Sequence, residues 1–447
     1  MKSVITFALA PLFAAAVLFC GCSRQKPEGA SAPGAPAEKN YQPLVGTNAF
    51  AIMFTDSAKI FADPVEQAFQ ALIERKAKEF NEAFPAETGE EMPASLAKYG
   101  AMSQADSMRH FFGLEPEDMK WCLAAFEKFD PTLFLGDSFP TNAVLPHVYE
   151  VFHAARPFDL DKTAQAVRDL FKDMCEADAE FSNSWTQASE KMSKVFAVER
   201  GEHKGAVAYR FTVTNPETGE KIAGASPIVT TLGGGKLLVL AASEKTLAHV
   251  KALYDGEEPA AAADSAVVRE LNLPANVHAR FAVTGIDELV SALEQAATDS
   301  GDVPAGIFGD DSLGDVRLFR FDVGVDAAQT NLFLRAAAEF AKEETAAELA
   351  KEAQEGISSA MPLAQMMFAM QPELAFVGQI LQTLQVASSG PTVAAGLGLP
   401  YAVLEGIDCQ KLAKKAAEAK KQASGLPFGR PGAGTGGEAV EDDVFDE

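Results

Sequence analysis

Basic side chains are in short supply: 38 lysines and arginines face 63 aspartates and glutamates, for a net charge of −25. Nucleic acid and anionic membrane surfaces both need a basic face, so neither is expected as a direct non-covalent partner. Cysteine is scarce as well. Cys20 and Cys22 sit at the edge of an N-terminal apolar run, while Cys122, Cys175 and Cys409 show no CxxC or zinc-type spacing. These three read as buried free thiols, with one disulfide left open for an oxidising compartment. The six histidines (His110, His147, His153, His203, His249 and His278) form no HExxH or HxH motif. His147 and His153 fall six residues apart in an expected strand, about 20 Å by strand rise, too far for one metal ion. No metal and no other cofactor is expected.

Motifs for group transfer are missing too. "GGGK" (233–236) lacks the Ser or Thr of a phosphate loop and runs into an apolar strand pattern where a helix is needed, so it reads as a hairpin turn. No Gly-x-Ser-x-Gly elbow occurs; "GISSA" (356–360) fails at its last position. "GDDSLGD" (309–315) clusters Asp310, Asp311 and Asp315 without the spacing or terminal Glu of an EF-hand, and reads as a surface turn. The remaining carboxylates fall mostly on charged helix faces, so no glycosidase-type pair can be named. No catalytic residue emerges, and the chain does not read as an enzyme.

The N-terminus carries the strongest signal present. Lys2 supplies a positive start, and Val4 to Phe19 is an apolar core broken only by Ser/Thr/Pro-type residues. It is shorter than the roughly 20 residues a membrane span needs, as in an export signal. Leu18-Phe19-Cys20-Gly21-Cys22 resembles the lipobox of bacterial lipoproteins, with Gly21 before the cleavage point and Cys22 after it. Phe19 departs from the pattern, which prefers Leu three residues before cleavage. The resemblance implies that Cys20 leaves with residues 1–21. Cys22 would then carry a diacylglyceryl group, often with an additional amide-linked, palmitate-type chain. Ser23 in the next position resembles signals for the outer membrane of a diderm host, facing the periplasm or the cell surface. Each buried CH₂ contributes about 0.8 kcal/mol, so two or three acyl chains anchor a protein almost permanently.

The segment from the Cys22 anchor to residue 46 is rich in Pro, Ala, Gly and Ser and reads as a flexible tether. From 424 to 447 the composition turns Gly/Pro-rich and then acidic, which reads as a disordered tail. Between them strands alternate with helices. "NAFAIMF" (48–54) is a strand, and Asp63-Pro64 caps a helix. "MKWCLAAFEKF" (119–129) pairs with "HVYEVFHAARPFD" (147–159) as a hairpin, followed by a helix over 160–171 capped near Asp159 or Asp161. Two further hairpins (195–213 and 227–243) and a helix (244–254) close a first unit, 47–258. The order then restarts: strand and helix at 276–296, a hairpin at 316–340, and again helix. This predicts an α+β fold of two diverged units, each with a largely antiparallel sheet packed by helices, the second spanning 270–423. "DGEEPAAAADSA" (255–266) reads as the linker between them. The rhythm of "GLEPEDMKWCLAAF", "VFHAARPFDLDKTAQAV" and "GGGKLLVLAASEKTLAHV" resembles uncharacterised bacterial exported and lipid-anchored proteins with tandem α+β units. That group brings no activity or site residues to transfer.

The most unusual stretch is "AMPLAQMMFAMQPELAFVGQILQTL" (360–384). Met361, Met366, Met367, Phe368, Met370 and Phe376 make an adaptable apolar surface. A core helix against the sheet is the first expectation, and a surface for a hydrophobic ligand or partner the second. The chain as a whole reads as a lipid-anchored envelope protein with a non-enzymatic binding or scaffolding role. The rival reading is a carrier of a hydrophobic small molecule or lipid, with a pocket between the sheet and the Met-rich helix.

Overall fold

Strand β1 (Ala49–Thr55) opens the body, and its residues alternate between two covered faces: Ile52 and Phe54 one way, Ala51 and Thr55 the other. A computed structural model describes residues 41–88, 102–127, 147–169, 196–203, 206–213, 227–286, 315–326, 328, 331–371 and 374–425. The lipobox with Cys22, Cys175, Asp310 and Asp311, and the tail beyond 425 lie outside those residues.

After β1 come helices α1 (Ser57–Ala62) and α2 (Pro64–Thr88). The Asp63 carboxylate accepts the Val65 and Glu66 amides at 2.8 and 3.2 Å, and Pro64 occupies the first helical position, as expected. Helix α3 (Gln104–Phe112) leads to the hairpin β2 (Met119–Glu127) and β3 (His147–Ala154). Helix α4 (160–169) is capped by Asp159, which accepts the Lys162 amide at 2.9 Å. Then follow the hairpins β4 (Phe196–His203) with β5 (Ala206–Val213) and β6 (Ile228–Leu232) with β7 (Leu237–Ala241). Gly233, Gly234 and Gly235 take φ of 59°, 67° and 87° in the β6–β7 turn. "GGGK" is therefore a turn that needs glycine, as its context implies.

Helix α5 (Glu244–Asp255) starts at Ser243, whose hydroxyl accepts the Thr246 amide at 3.1 Å. Ser243→Ala is expected to lower stability by about 1 kcal/mol in urea melts; an unchanged midpoint would show the cap to be idle. A short helix α6 (Ala266–Arg269) precedes β8 (Val277–Thr284), β9 (Val316–Asp326) and β10 (Asn331–Phe340). The chain ends its described part with α7 (Glu343–Ala369), α8 (Ala375–Leu381), β11 (Gln385–Ser389), β12 (Thr392–Pro400), α9 (Tyr401–Glu405) and α10 (Cys409–Gly425).

Among the described residues all twelve strands join one antiparallel sheet in the order β11-β12-β10-β9-β8-β1-β2-β3-β7-β6-β5-β4. The fold is α+β. β1 and β8 meet near the middle, with Met53 opposite Phe281. On one face Phe54, Trp121, Leu123, Tyr149, Val151 and Val239 pack under α5, α6 and the segment around Leu44. On the other, Cys122, Phe152 and Leu238 pack under α3 and α4, and Val325 and Leu332 pack on Phe69 of α2. Cys122 and Cys409 are both buried, and the Cys409 thiol donates to the Lys76 carbonyl at 3.3 Å.

Three expectations need correction. The tether does not run to residue 46: Tyr41, Leu44 and Val45 are 5%, 1% and 0% exposed, because an apolar trio at the end of a Pro/Ala tract finds the core in a 3₁₀ turn. The stretch 255–266 is not a free linker either. Ala260 bridges Gly46, and the Ala261 amide donates to the Val45 carbonyl at 2.7 Å. Finally, the Met-rich helix does not turn its methionines into the core: Leu363, Met366, Met367 and Met370 are 53–77% exposed. Its inward stripe consists instead of Ala346 and Ala350, which pack against Val316, Phe340 and Val393.

Candidate functional site

The alternation that places Trp121, Leu123 and Ala125 of β2 in the core puts Glu127 on the same face. Across the hairpin His147 stands directly opposite Glu127, and Tyr149 opposite Ala125. Helix α5 lies over this end of the sheet and lowers His249 onto the pair. The result is a chain of short contacts. Glu127, 0% exposed, accepts the Gly46 amide at 3.0 Å and the Tyr149 hydroxyl at 2.6 Å on one oxygen. Its other oxygen lies 2.9 Å from His249 Nε2, and His249 Nδ1 lies 2.5 Å from Glu258. The Tyr149 hydroxyl is also 2.7 Å from the Leu44 carbonyl. His147 stacks on His249 with ring centroids 4.7 Å apart and its Nδ1 near the Thr246 hydroxyl.

Protonation follows from this geometry. A ring with a carboxylate at each nitrogen is held as the doubly protonated imidazolium, which donates both ways. The hydrogen bond to Glu127 is the main reason the His249 pKa is raised, against burial, with Glu258 adding to it. Burial pushes the Glu127 carboxyl up, but the bonds from His249, Tyr149 and Gly46 outweigh it and hold it below the ordinary value. Burial, followed by the charge of Glu127, raises the Tyr149 phenol well above its usual range. Position 46 needs glycine, because a Cβ there would lie 2.4 Å from a Glu127 oxygen.

A carboxylate-oriented histidine is two-thirds of a nucleophilic triad. Here the histidine faces a second carboxylate, and the neighbouring hydroxyls are Tyr149, kept neutral, and Thr246, 1% exposed. What the arrangement does is fasten: it ties the 41–46 segment to β2, β3, α5 and Glu258.

A second charged cluster flanks the centre of the sheet. Arg280 of β8 faces Asp322 of β9 across the ladder and grips it with two bonds of 2.6 and 3.0 Å, while a third reaches Glu270 at 2.8 Å. Burial pulls the Arg280 pKa down, but these two carboxylates outweigh it and leave it raised. His278 lies 3.5 Å from Asp63 and 3.3 Å from Glu66.

Of the residues singled out in the sequence, Leu363, Met366, Met367 and Met370 form one exposed stripe, and Met361, Phe368 and Phe376 are half-buried. The space beside α7 is an open trough lined by Lys351, Gln354, Glu355, Ser358 and Ser359. A small space under α1 and α3, lined by Phe61, Met108, Phe112 and Phe152, measures about 10 Å³, room for one water at most. Asp315 is tied to Lys342 at 3.2 Å. His147 and His153 do not act together; His147 pairs with His249 instead, a contact that bridges strand and helix and leaves no spacing to read. Among the described residues no group of three His, Cys, Asp or Glu is placed to hold a metal, and no helix is long and apolar enough to cross a membrane.

Fold and clusters define an α+β protein with a twelve-stranded antiparallel sheet, a buried acid–base fastening at its N-terminal segment and an exposed methionine stripe. No family model matches the chain, and no curated protein or solved structure does either.

Proposed function

We propose that the protein is exported, anchored to the bacterial envelope through acylated Cys22, and serves there as a non-enzymatic binding or scaffolding protein. The observation that carries the binding role is the stripe of Leu363, Met366, Met367 and Met370 on α7, with Met370 77% exposed. Large apolar side chains held together in water mark contact surfaces. The lipobox-like Leu18-Phe19-Cys20-Gly21-Cys22 supports the anchor, and Ser23 supports the outer membrane of a diderm host.

The body is further read as a diverged duplication. What supports this is the order of elements on either side of the β1–β8 pair. Outward from β1 run β2, β3, β7 and β6; outward from β8 run β9, β10, β12 and β11. In chain order each set holds one strand, a hairpin, helix (α4 in the first, α7 and α8 in the second) and a further hairpin; α1 to α3 follow β1, and β4–β5 is added in the first.

An acyl-labelling experiment tests the anchor. With an alkyne analogue of palmitate, the full chain is expected to take up label and sediment with membranes, and Cys22→Ala to lose both. Label retained by Cys22→Ala would overturn the reading.

A further inference from the structure

The two edges of the sheet differ in a way that matters for association. An open edge presents unpaired N–H and C=O groups and invites another strand, and proteins discourage this with charge, proline or bulges. Among the described residues the edges are β4 and β11. β4 reads "FAVERGEH" and carries Glu199, Arg200, Glu202 and His203. β11 reads "QVASS", without charge or proline, and Gln385, Ala387, Ser388 and Ser389 are exposed.

The bare edge belongs to a larger uncharged surface. From Gly356 to Leu404 the sequence holds a single charged side chain, Glu373, in a chain where 23% of residues are charged. This stretch comprises the second half of α7, then α8, β11, β12 and most of α9. Helix α7 packs over β11 and β12 through Ala346 and Ala350, and beside the stripe Phe368 lies against Gly378 of α8, the helix that leads into β11. Leu363, Met366, Met367 and Met370 follow the i, i+3, i+4, i+7 spacing of a helix-packing seam, at 58%, 56%, 53% and 77% exposure.

We propose that this end of the molecule is a self-association surface. A second copy lays its β11 antiparallel against β11, joining two sheets into one. Electrostatics favours a second copy of the chain as the occupant. Two chains of net charge −25 repel wherever charged surfaces meet, and the 356–404 stretch brings one carboxylate, Glu373, to such a contact. A bilayer is the poorer occupant, because the stretch offers no lysine or arginine to headgroup phosphates. A two-fold axis normal to the sheet through the β11–β11 pair sets both α7 helices on the same face. Their methionines then add adaptable apolar contact beside the strand pairing. The inference rests on reading the stripe as a contact surface and is independent of the lipid anchor, so the labelling experiment and the one below fail separately.

The test uses the full chain in mild detergent, followed by sedimentation velocity over a concentration series. The parent is expected to be dimeric. Single cysteines scanned along 385–389 should give a reducible dimer strongest at Ala387→Cys, above the background of the native cysteines. Ala387→Lys and Met367→Glu, each checked for an unchanged circular dichroism spectrum, should weaken the dimer at least tenfold. A parent that stays monomeric at the highest concentration overturns the proposal. So does a dimer that both charged variants leave intact, or a monomer that binds phosphatidylcholine vesicles through the stripe.

Discussion

Glu150→Gln is expected to make the protein more stable at neutral pH, with a gain that grows as the pH rises towards 8. Glu150 projects from β3 between Ala124 of β2 and Leu240 of β7, on the face opposite Tyr149. It is 6% exposed, and its Oε2 has no hydrogen-bond partner. Burial alone pushes its carboxyl from 4.5 up to about 8. The sign follows from proton counting. Between pH 4.5 and 8 the folded chain keeps this proton and the unfolded chain has lost it, so stability falls as pH rises. The slope is about 1.4 kcal/mol per pH unit, which reaches roughly 3 kcal/mol by pH 7. Glutamine has the shape of the protonated acid and nothing to lose. Urea melts of parent and variant should therefore coincide near pH 4.5 and separate steadily above it. Part of the decline survives in the variant above pH 6.5, because His249, whose folded pKa is raised, gives up its contribution there. Parallel stability curves for the two proteins from pH 5 to 8 would refute the account.

Much of the fold is legible in the sequence because local chemistry and tertiary context agree. Asp63-Pro64, Asp159 and Ser243 cap helices where their side chains can reach free amides. The period-two runs at 119–127, 206–213 and 316–326 become strands with the expected hairpin partners. The Met-rich helix went the other way for a physical reason. Its two apolar stripes, Ala346 and Ala350 on one side and Leu363 to Met370 on the other, both satisfy helical periodicity, and only the close approach of small residues to the sheet decides between them. No motif in the sequence marks the acid–base fastening, although the strand period carries a signal. Glu127 is in phase with Trp121, Leu123 and Ala125, and Glu150 with Phe152. A carboxylate on a core-facing position implies either a buried partner or a raised pKa, and the structure contains one of each. That the partner is His249, 122 residues away, is decided by how α5 crosses the hairpin.

Glu127→Gln is expected to destabilise the protein by about 3 kcal/mol, as removal of one member of a buried ion pair does. The variant keeps the shape of the side chain and can still accept one hydrogen bond, but it no longer balances the His249 imidazolium. The size of the loss depends on pH with a defined window. Glu127, with its folded pKa lowered, contributes above its unfolded value of 4.5 and loses that contribution as pH falls through the folded one. His249, with its folded pKa raised, contributes in full below 6.5 and loses that contribution as pH rises through the folded value. The gap between parent and variant is therefore widest between pH 4.5 and 6.5 and closes on both sides. The damage should also be local. Glu127 holds the Gly46 amide, and Tyr149 holds the Leu44 carbonyl, so amide exchange over 41–46 should accelerate more than exchange in β1 or β8. Gly46→Ala should behave alike, since its Cβ would displace the Glu127 carboxylate. The two changes combined should cost less than their sum, because both break one fastening. A loss under 1 kcal/mol at pH 6, or unchanged exchange at 41–46, would show that the cluster does not hold this segment. If it does hold, residues 41–46 are fixed to the sheet by a buried charge, and loosening them requires β2, β3 and α5 to give way together.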